Sequence, residues 1–191
     1  MPTIRHLLAA LLLVLATAAP AATIEGQRFD DRIRLAEADL TLNGVGLRAV
    51  AWLKGYAAGL YLPQKASTPA AVIAQKGPKR IQLKMMVDVG SEEFQKAWDK
   101  GMKRNHSAAE YEPMKERIAT FSAAIAAIGK LKKGDVIDLD YLPGKGLQMS
   151  LNGRPRGEVV PGEDLYAGLL KIFVGTVPVD ARLKAGLLGV G

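Results

Sequence analysis

Alternating hydrophobic and polar residues in the first half of the chain predict strands. From Val45 to Lys54, apolar residues fall on both alternating sets of positions, as expected for a strand with two buried faces. The extended pattern continues from Tyr56 to Leu62 and ends before Pro63. Between Ile81 and Val89, apolar residues alternate with mostly polar ones. This second pattern predicts a strand with one face in the core.

Helical spacing takes over in the middle of the chain. Ser91 is a predicted N-cap, and apolar residues then recur at helical spacing until about Asn105. A second helix is predicted from Tyr111 to Ile128, with one apolar stripe and with Gly129 as its C-terminal stop. Shorter helices are predicted at about 69–75, 163–173 and 179–188.

Three further strands are predicted before the last helices, at 136–142, 146–151 and 155–160. Asn152-Gly153 between the last two is a strong signal for a type I′ hairpin turn. The predicted helices need an apolar surface to cover, and the sheet provides one. The sequence therefore predicts an α+β domain with helices on a largely antiparallel sheet.

The first residues have the pattern of a cleavable secretory signal peptide. Arg5 precedes an unbroken apolar run, 7–18, and small residues follow at Ala19 and Ala21. The apolar run is shorter than the about 20 residues that span a bilayer, so a membrane anchor is disfavoured. We expect cleavage after Ala21, a mature domain of residues 22–191, and a periplasmic or secreted location in a bacterium.

Composition excludes several kinds of site. The chain has no cysteine, which removes disulfide scaffolds, thiolate metal sites and cysteine nucleophiles. Of the two histidines, His6 lies in the predicted leader and leaves only His106 in the mature chain. We therefore expect no metal site and no cofactor. His106 falls at a polar junction between helices, where a surface or capping role is expected.

The positive charge is modest and does not indicate a nucleic-acid partner. The net charge of the full chain is +7, and it falls to +6 when the leader is removed with Arg5. The basic clusters, at 96–104 and 130–133, are interleaved with or flanked by acidic residues such as Asp99 and Asp135. A solvated face is the main interpretation. Weak contact with an anionic membrane surface remains an alternative.

Two glycine patterns match phosphate-binding motifs only superficially. Gly44 to Ala49 matches G-x-G-x-x-A, but these glycines open a strand and not the helix that would hold a pyrophosphate. Gly129 to Gly134 is followed by Asp135 where a phosphate-binding loop requires lysine. Neither pattern predicts nucleotide binding.

Arg48 is the residue that most needs a partner. It lies on a predicted strand with apolar neighbours, and a guanidinium in that position keeps its charge. One interpretation is an internal salt bridge to Asp138 or Asp140. The other is that the anion is the carboxylate or phenolate of an amphipathic ligand between sheet and helices. From the pattern alone, the internal salt bridge is favoured.

Four segments together resemble the chalcone isomerase-like family, and particularly its exported bacterial branch. They are GVGLRAVAWLKGYAAGLYLP (44–63), FQKAWDKGMKRN (94–105), YLPGKGLQMSLNG (141–153) and IFVGTVPVDARLKAGLLG (172–189). The resemblance covers nearly all of the predicted mature chain. It implies an open-faced β-sandwich, in which a long antiparallel sheet is covered by a layer of helices and a ligand cleft lies between them.

The resemblance also implies site residues. Plant chalcone isomerases close a flavanone ring by attack of a phenolate on an enone, using an arginine, a threonine, a tyrosine and an asparagine. The arginine corresponds to Arg48 and the tyrosine to Tyr111, while Tyr56 replaces the threonine and Ile118 the asparagine. Two of the four polar groups are therefore missing, which disfavours chalcone cyclisation.

A residue pair that shapes substrate choice in the family corresponds to Lys171 and Ile172. Non-catalytic members of the family resemble fatty-acid binders, which hold a carboxylate with the arginine and the tyrosine. The leading hypothesis is therefore an exported binder of a small amphipathic or aromatic anion such as a fatty acid. An intramolecular lyase with Arg48 and Tyr111 as catalytic residues is one alternative. An envelope interaction protein with a vestigial cleft is another.

Overall fold

The computed structural model of the protein describes residues 21–50 and 53–191. The predicted signal peptide, apart from Ala21, lies outside the described residues, and so does Trp52. No helix within the two described ranges is long and apolar enough to cross a membrane.

A seven-stranded antiparallel sheet forms the centre of the fold. The strands of the described residues, in this sheet and in two smaller pairs, β1–β2 and β7–β8, are β1 (Ala21–Ile24), β2 (Gln27–Asp30), β3 (Arg32–Leu35), β4 (Ala38–Val50), β5 (Leu53–Leu62), β6 (Lys79–Met85), β7 (Val89–Gly90), β8 (Lys130–Leu131), β9 (Val136–Leu142), β10 (Gly146–Leu151) and β11 (Arg154–Val160). The order in the main sheet is β11-β10-β9-β6-β5-β4-β3, and each neighbouring pair is antiparallel. The predicted antiparallel sheet is confirmed.

Helices cover one face of this sheet. They are α1 (Pro69–Ala74), α2 (Ser91–Arg104), α3 (Ala108–Tyr111), α4 (Lys115–Ala126), α5 (Glu163–Val174) and α6 (Ala181–Leu187). Their apolar residues and the facing strand residues form the larger core cluster. A smaller core on the other face lies around Phe29 and Tyr61, where the β1–β2 hairpin packs. This arrangement confirms an α+β fold with a helix layer on a long antiparallel sheet.

The structure corrects several predicted boundaries. The apolar segment from Val45 to Leu62 is two paired strands, because β4 already begins at Ala38 and the chain reverses between Val50 and Leu53. The strand predicted to reach Val89 ends at Met85. Asp88 lies in the turn that follows, where its carboxylate accepts the N–H of Lys133.

Ser91 is not an N-cap. The cap of α2 is Gly90, and Ser91 is the first helical residue. Its hydroxyl instead donates to the carbonyl of Ala126, 3.2 Å away at the end of α4. The expected end of α2 is confirmed, because the helix ends at Arg104 with Asn105 as its C-cap. The next long helix ends at Ala126, two residues before the predicted Ile128, and Gly129 follows with a positive φ of 76°.

The helix predicted from Tyr111 to Ile128 is interrupted. A 3₁₀ turn, Glu112–Met114, separates α3 from α4. Pro113 lies in this turn and has no N–H with which to continue an α-helical hydrogen-bond ladder. A capping box between Ser107 and Glu110 starts α3.

The strand β11 lies at one edge of the main sheet. Arg154, Pro155 and Arg156 are exposed along it, and Gly157 has a φ of 70° near a shift in the β10–β11 register. The turn into this strand has positive φ at both central residues, 52° at Asn152 and 75° at Gly153. These angles confirm the predicted type I′ hairpin.

The glycines of the G-x-G pattern bring α6 against β4. A Cβ atom on Gly44 would lie 2.2 Å from the carbonyl oxygen of Gly186, and one on Gly46 would lie 2.7 Å from that of Leu183. Asn43 reinforces the contact, because its side-chain amide donates to the carbonyl of Leu187 over 2.7 Å. The pattern thus serves close packing between helix and strand.

Candidate ligand-binding site

Arg48 and Tyr56 lie side by side on the helix-covered face of the sheet. They are direct cross-strand partners in the β4–β5 register, so their side chains project from the same face. Tyr56 is buried in the larger core cluster, whereas Arg48 is half-buried. Arg48 Nη1 donates a 2.7 Å hydrogen bond to the carbonyl oxygen of Val179. The segment before α6 therefore fixes the guanidinium.

A cleft of about 280 Å³ opens beside this pair. Apart from Arg48 and Glu93, the side chains that line it are mostly apolar, and they include Leu53, Tyr56, Met85, Val87, Val89 and Phe94. The guanidinium is thus presented at an apolar surface that is open to solvent.

A second, smaller cavity of about 60 Å³ continues from the cleft into the core. Tyr56, Phe94 and Ala97 line both spaces, and the rings of Tyr56 and Phe94 have centroids 5.8 Å apart. The inner wall is almost wholly apolar and includes Leu83, Trp98, Phe121, Ile137, Leu139 and Ile172. A charged group therefore fits only at the outer end, where Arg48 lies.

The Tyr56 hydroxyl stays neutral in this position. Burial raises its pKa well above the usual range; the positive charge of Arg48 opposes this shift, and Asp180 adds to it. A neutral phenol can donate a hydrogen bond to a ligand oxygen. Tyr56 therefore complements Arg48 as a second donor at the boundary between cleft and cavity.

The predicted internal salt bridge of Arg48 is wrong. Asp138 and Asp140 lie on the opposite face of the sheet, where Arg80 binds both. Arg80 Nε is 2.6 Å from Asp140 Oδ1, and its Nη1 is 3.4 Å from Asp138 Oδ2. Across residues 21–50 and 53–191, no carboxylate lies within 4.0 Å of the Arg48 guanidinium.

The structure brings only some of the predicted site residues together. Ile172 lines the inner cavity close to Tyr56. Ile118 is buried in the core, where its carbonyl accepts a 3.0 Å hydrogen bond from the Trp98 indole. Tyr111 is half-buried against the core and is not among the residues that line the cleft or the cavity.

Lys171 faces a separate groove on the far side of α5. Its Nζ is 3.4 Å from the carboxylate of Glu110. Hydrogen bonds from the backbone and side chain of Ser107, together with the charge of Lys171, lower the pKa of Glu110 to about 2. His106 lines the same groove, and its Nδ1 lies 2.8 Å from the carbonyl of Met102, which agrees with a capping role.

Sequence reasoning missed the two elements that complete the cleft. In the sequence, Phe94 is only one of several apolar residues at helical spacing, and nothing distinguishes it as a cleft residue. Val179 contributes a backbone carbonyl, which no side-chain motif can indicate. In the part of the chain that the structure describes, no group of three or more acidic or histidine side chains could hold a metal ion.

Comparisons with known proteins agree with this architecture. The sequence profile described as chalcone isomerase-like matches residues 21–189. No curated protein sequence matches the chain. Among solved structures, the crystal structure of a fatty-acid binding protein from Arabidopsis thaliana superposes with a TM-score of 0.66 at 18% sequence identity, covering 88% of this chain and 96% of the Arabidopsis chain. At this identity the superposition shows a shared fold. The chain belongs to the chalcone isomerase-like family.

Proposed function

We propose that the protein binds a small amphipathic anion, such as a fatty acid, in the cleft beside Arg48. The observation that carries the proposal is a fixed guanidinium at the mouth of an apolar cleft, with no carboxylate in ion-pair range among the described residues. The anionic head accepts hydrogen bonds from Arg48 and Tyr56, and the apolar part extends toward the inner cavity. The Arabidopsis protein with this fold, a fatty-acid binding protein, supports this ligand class.

The size of the site favours a short or medium chain. The cleft has a volume of about 280 Å³ and the inner cavity one of about 60 Å³. Taken together, the two spaces are at the lower end of the roughly 300–1,000 Å³ usual for ligand pockets. A longer chain would require movement of Tyr56 or Phe94, whose rings lie between the two spaces. Dodecanoate is therefore a suitable probe.

Removal of the guanidinium is expected to weaken the binding of dodecanoate roughly ten- to a hundredfold, since a charge-assisted hydrogen bond contributes about 1.5–3 kcal/mol. Isothermal titration calorimetry of Arg48→Ala against the wild type measures this loss. Arg32→Ala removes the same charge from an exposed position on β3 and is expected to bind like the wild type. Uncharged dodecanol is expected to bind wild type and Arg48→Ala equally.

Equal affinity of wild type and Arg48→Ala for dodecanoate would contradict the proposal. An absence of binding by the wild type would support the alternative of a vestigial cleft. Chalcone cyclisation faster than buffer, lost in Arg48→Ala, would instead support an intramolecular lyase. The placement of Tyr111 away from the cleft lining disfavours that reaction, because Tyr111 is one of its two expected catalytic residues.

We also propose that the protein is exported by a bacterium, with cleavage after Ala21. The family match begins at residue 21, next to the predicted cleavage site, which supports a boundary there. Cleavage leaves the β1 partners from Ala22 to Ile24 in place, so the hairpin with β2 survives processing. N-terminal sequencing of the mature protein is expected to begin within one residue of Ala22. An intact Met1 on membrane-bound protein would refute export by cleavage.

A further inference from the structure

A buried lysine lies in a second cavity, remote from Arg48. Lys79 is the first residue of β6, faces the helix layer and is only 2% exposed. It is the cross-strand partner of Tyr141 on β9, and its Nζ lies 5.2 Å from the centroid of the Tyr141 ring. The cavity, of about 220 Å³, lies between these strands, α1 and α5.

The two carboxylates and the Tyr166 hydroxyl of this cavity already have partners. The carboxylate of Glu163 binds Lys76 Nζ over 2.8 Å, and Asp164 binds Arg117 over 2.7 Å. The Tyr166 hydroxyl donates to the carbonyl of Leu139. These groups therefore do not require the Lys79 amine as a partner.

Lys79 Nζ itself has no hydrogen-bond acceptor and no ion-pair partner among the described residues. Fully enclosed side-chain nitrogen and oxygen atoms in the described ranges all have a partner. Lys79 Nζ consequently opens onto the cavity. The face of the Tyr141 ring favours an ammonium here, whereas burial disfavours the charged form.

Burial also gives the Lys79 amine a larger neutral fraction than that of an exposed lysine. Burial lowers the pKa of Lys79; Glu163 opposes this effect, and the neighbouring Lys76 adds to it. A neutral lysine amine has a free electron pair and reacts with carbonyl carbons to form Schiff bases. Lys79 therefore combines nucleophilic character with a cavity that can hold a reaction partner.

We propose that this cavity is a second ligand site, which takes a small uncharged aldehyde as a reversible imine on Lys79 Nζ. The nitrogen electron pair forms a bond to the aldehyde carbon, while the C=O π electrons move to oxygen. A proton passes from nitrogen to that oxygen and gives a carbinolamine. Loss of water then forms the C=N bond, and addition of water reverses the sequence.

The cavity lining determines the class of aldehyde. Ile73, Ala74 and Leu170 offer apolar contact to a short alkyl chain. Lys76, which lines the same space, is already bound to Glu163, so the lining does not favour an aldehyde that carries a carboxylate. An uncharged aldehyde of a few carbon atoms fits both requirements.

Reductive trapping tests the proposal. The folded full chain is incubated at pH 7 with butanal and cyanoborohydride, which reduces an imine to a stable secondary amine, and the butylated lysines are identified by peptide mass spectrometry. Lys79 is expected to react measurably faster than the exposed Lys145, because its lowered pKa raises the neutral fraction of its amine. In urea, where the cavity is lost, the two rates are expected to be equal.

Matched variants separate this site from the Arg48 cleft. Lys79→Met, which keeps the length and apolar stem of the side chain, is expected to lose only the fast-labelled position, whereas Lys145→Met retains it. Arg48→Ala is expected to leave the labelling of Lys79 unchanged, so the two proposals can fail independently. Labelling of Lys79 no faster than that of Lys145 in the folded wild type would overturn the proposal, even if Lys79→Met did not fold.

Discussion

Replacing Arg80 with methionine is expected to lower the free energy of unfolding by about 3–5 kcal/mol, the usual cost of leaving buried charges without their partner. The Arg80 side chain is 18% exposed, and the side chains of Asp138 and Asp140 are 10% and 6% exposed. Burial raises the pKa of Asp140, and the hydrogen bond from Arg80 opposes that shift. Without the guanidinium, two carboxylates would remain close together on the face of the sheet opposite the helices.

Urea unfolding at pH 7 followed by tryptophan fluorescence measures this loss. The matched control is Arg48→Met, which removes one hydrogen bond to the carbonyl of Val179 and is expected to cost only about 1 kcal/mol. Addition of Asp140→Leu to Arg80→Met is expected to recover part of the loss, because one stranded charge is removed. A larger loss from Arg48→Met than from Arg80→Met would mean that Arg48 is the structural arginine.

Gly44→Ala is expected to lower the free energy of unfolding by about 3 kcal/mol, at the upper end of overpacking effects. The new Cβ would lie 2.2 Å from the Gly186 carbonyl oxygen, and backbone cannot rotate away as a side chain can. α6 would have to move off β4, which would expose the buried Leu183 and Leu187. For a chain of this size the expected fall in Tm is roughly 10 °C.

Differential scanning calorimetry can compare this variant with Gly55→Ala. A Cβ on Gly55 meets only the carbonyl oxygen of Arg48 at 3.5 Å, an ordinary contact, so this control is expected to stay within about 1 kcal/mol of the wild type. Gly44→Ala is also expected to weaken dodecanoate binding, because the Val179 carbonyl that fixes Arg48 comes immediately before Asp180, the N-cap of α6. Equal melting temperatures for the two variants would contradict this account of the G-x-G pattern.

The periodicity of the sequence predicts most of the fold but not where the chain reverses. The segment from Val45 to Leu62 is apolar on both faces, and no Asn-Gly or Pro-Gly pair marks its turn. The Asn152-Gly153 hairpin was predictable because its turn type demands those residues. The prediction of one helix from Tyr111 to Ile128 was wrong at Pro113. It followed the apolar stripe and gave too little weight to proline, which breaks α-helices.

The site was predictable only in part, because its geometry depends on strand register. The sequence singled out Arg48 by its apolar neighbours, but its partners are set by which residues lie across β5 and before α6. The internal-carboxylate interpretation failed because Asp138 and Asp140 project from the other face, and side-chain direction reverses with every residue. The burial of Lys79 could have been predicted from the sequence, because alternate residues of a strand face the same side and Lys79 is two residues before the buried Ile81.

The edge strand β11 also has a consequence for how copies of the protein meet. An incoming strand needs a row of free N–H and C=O groups, and Pro155 interrupts that row because it has no N–H. The exposed Arg154 and Arg156 would face like charges on any second copy that approached edge to edge. Growth of intermolecular β-structure through β11 is therefore obstructed, and folded molecules at high concentration are protected from templated aggregation along this border of the sheet.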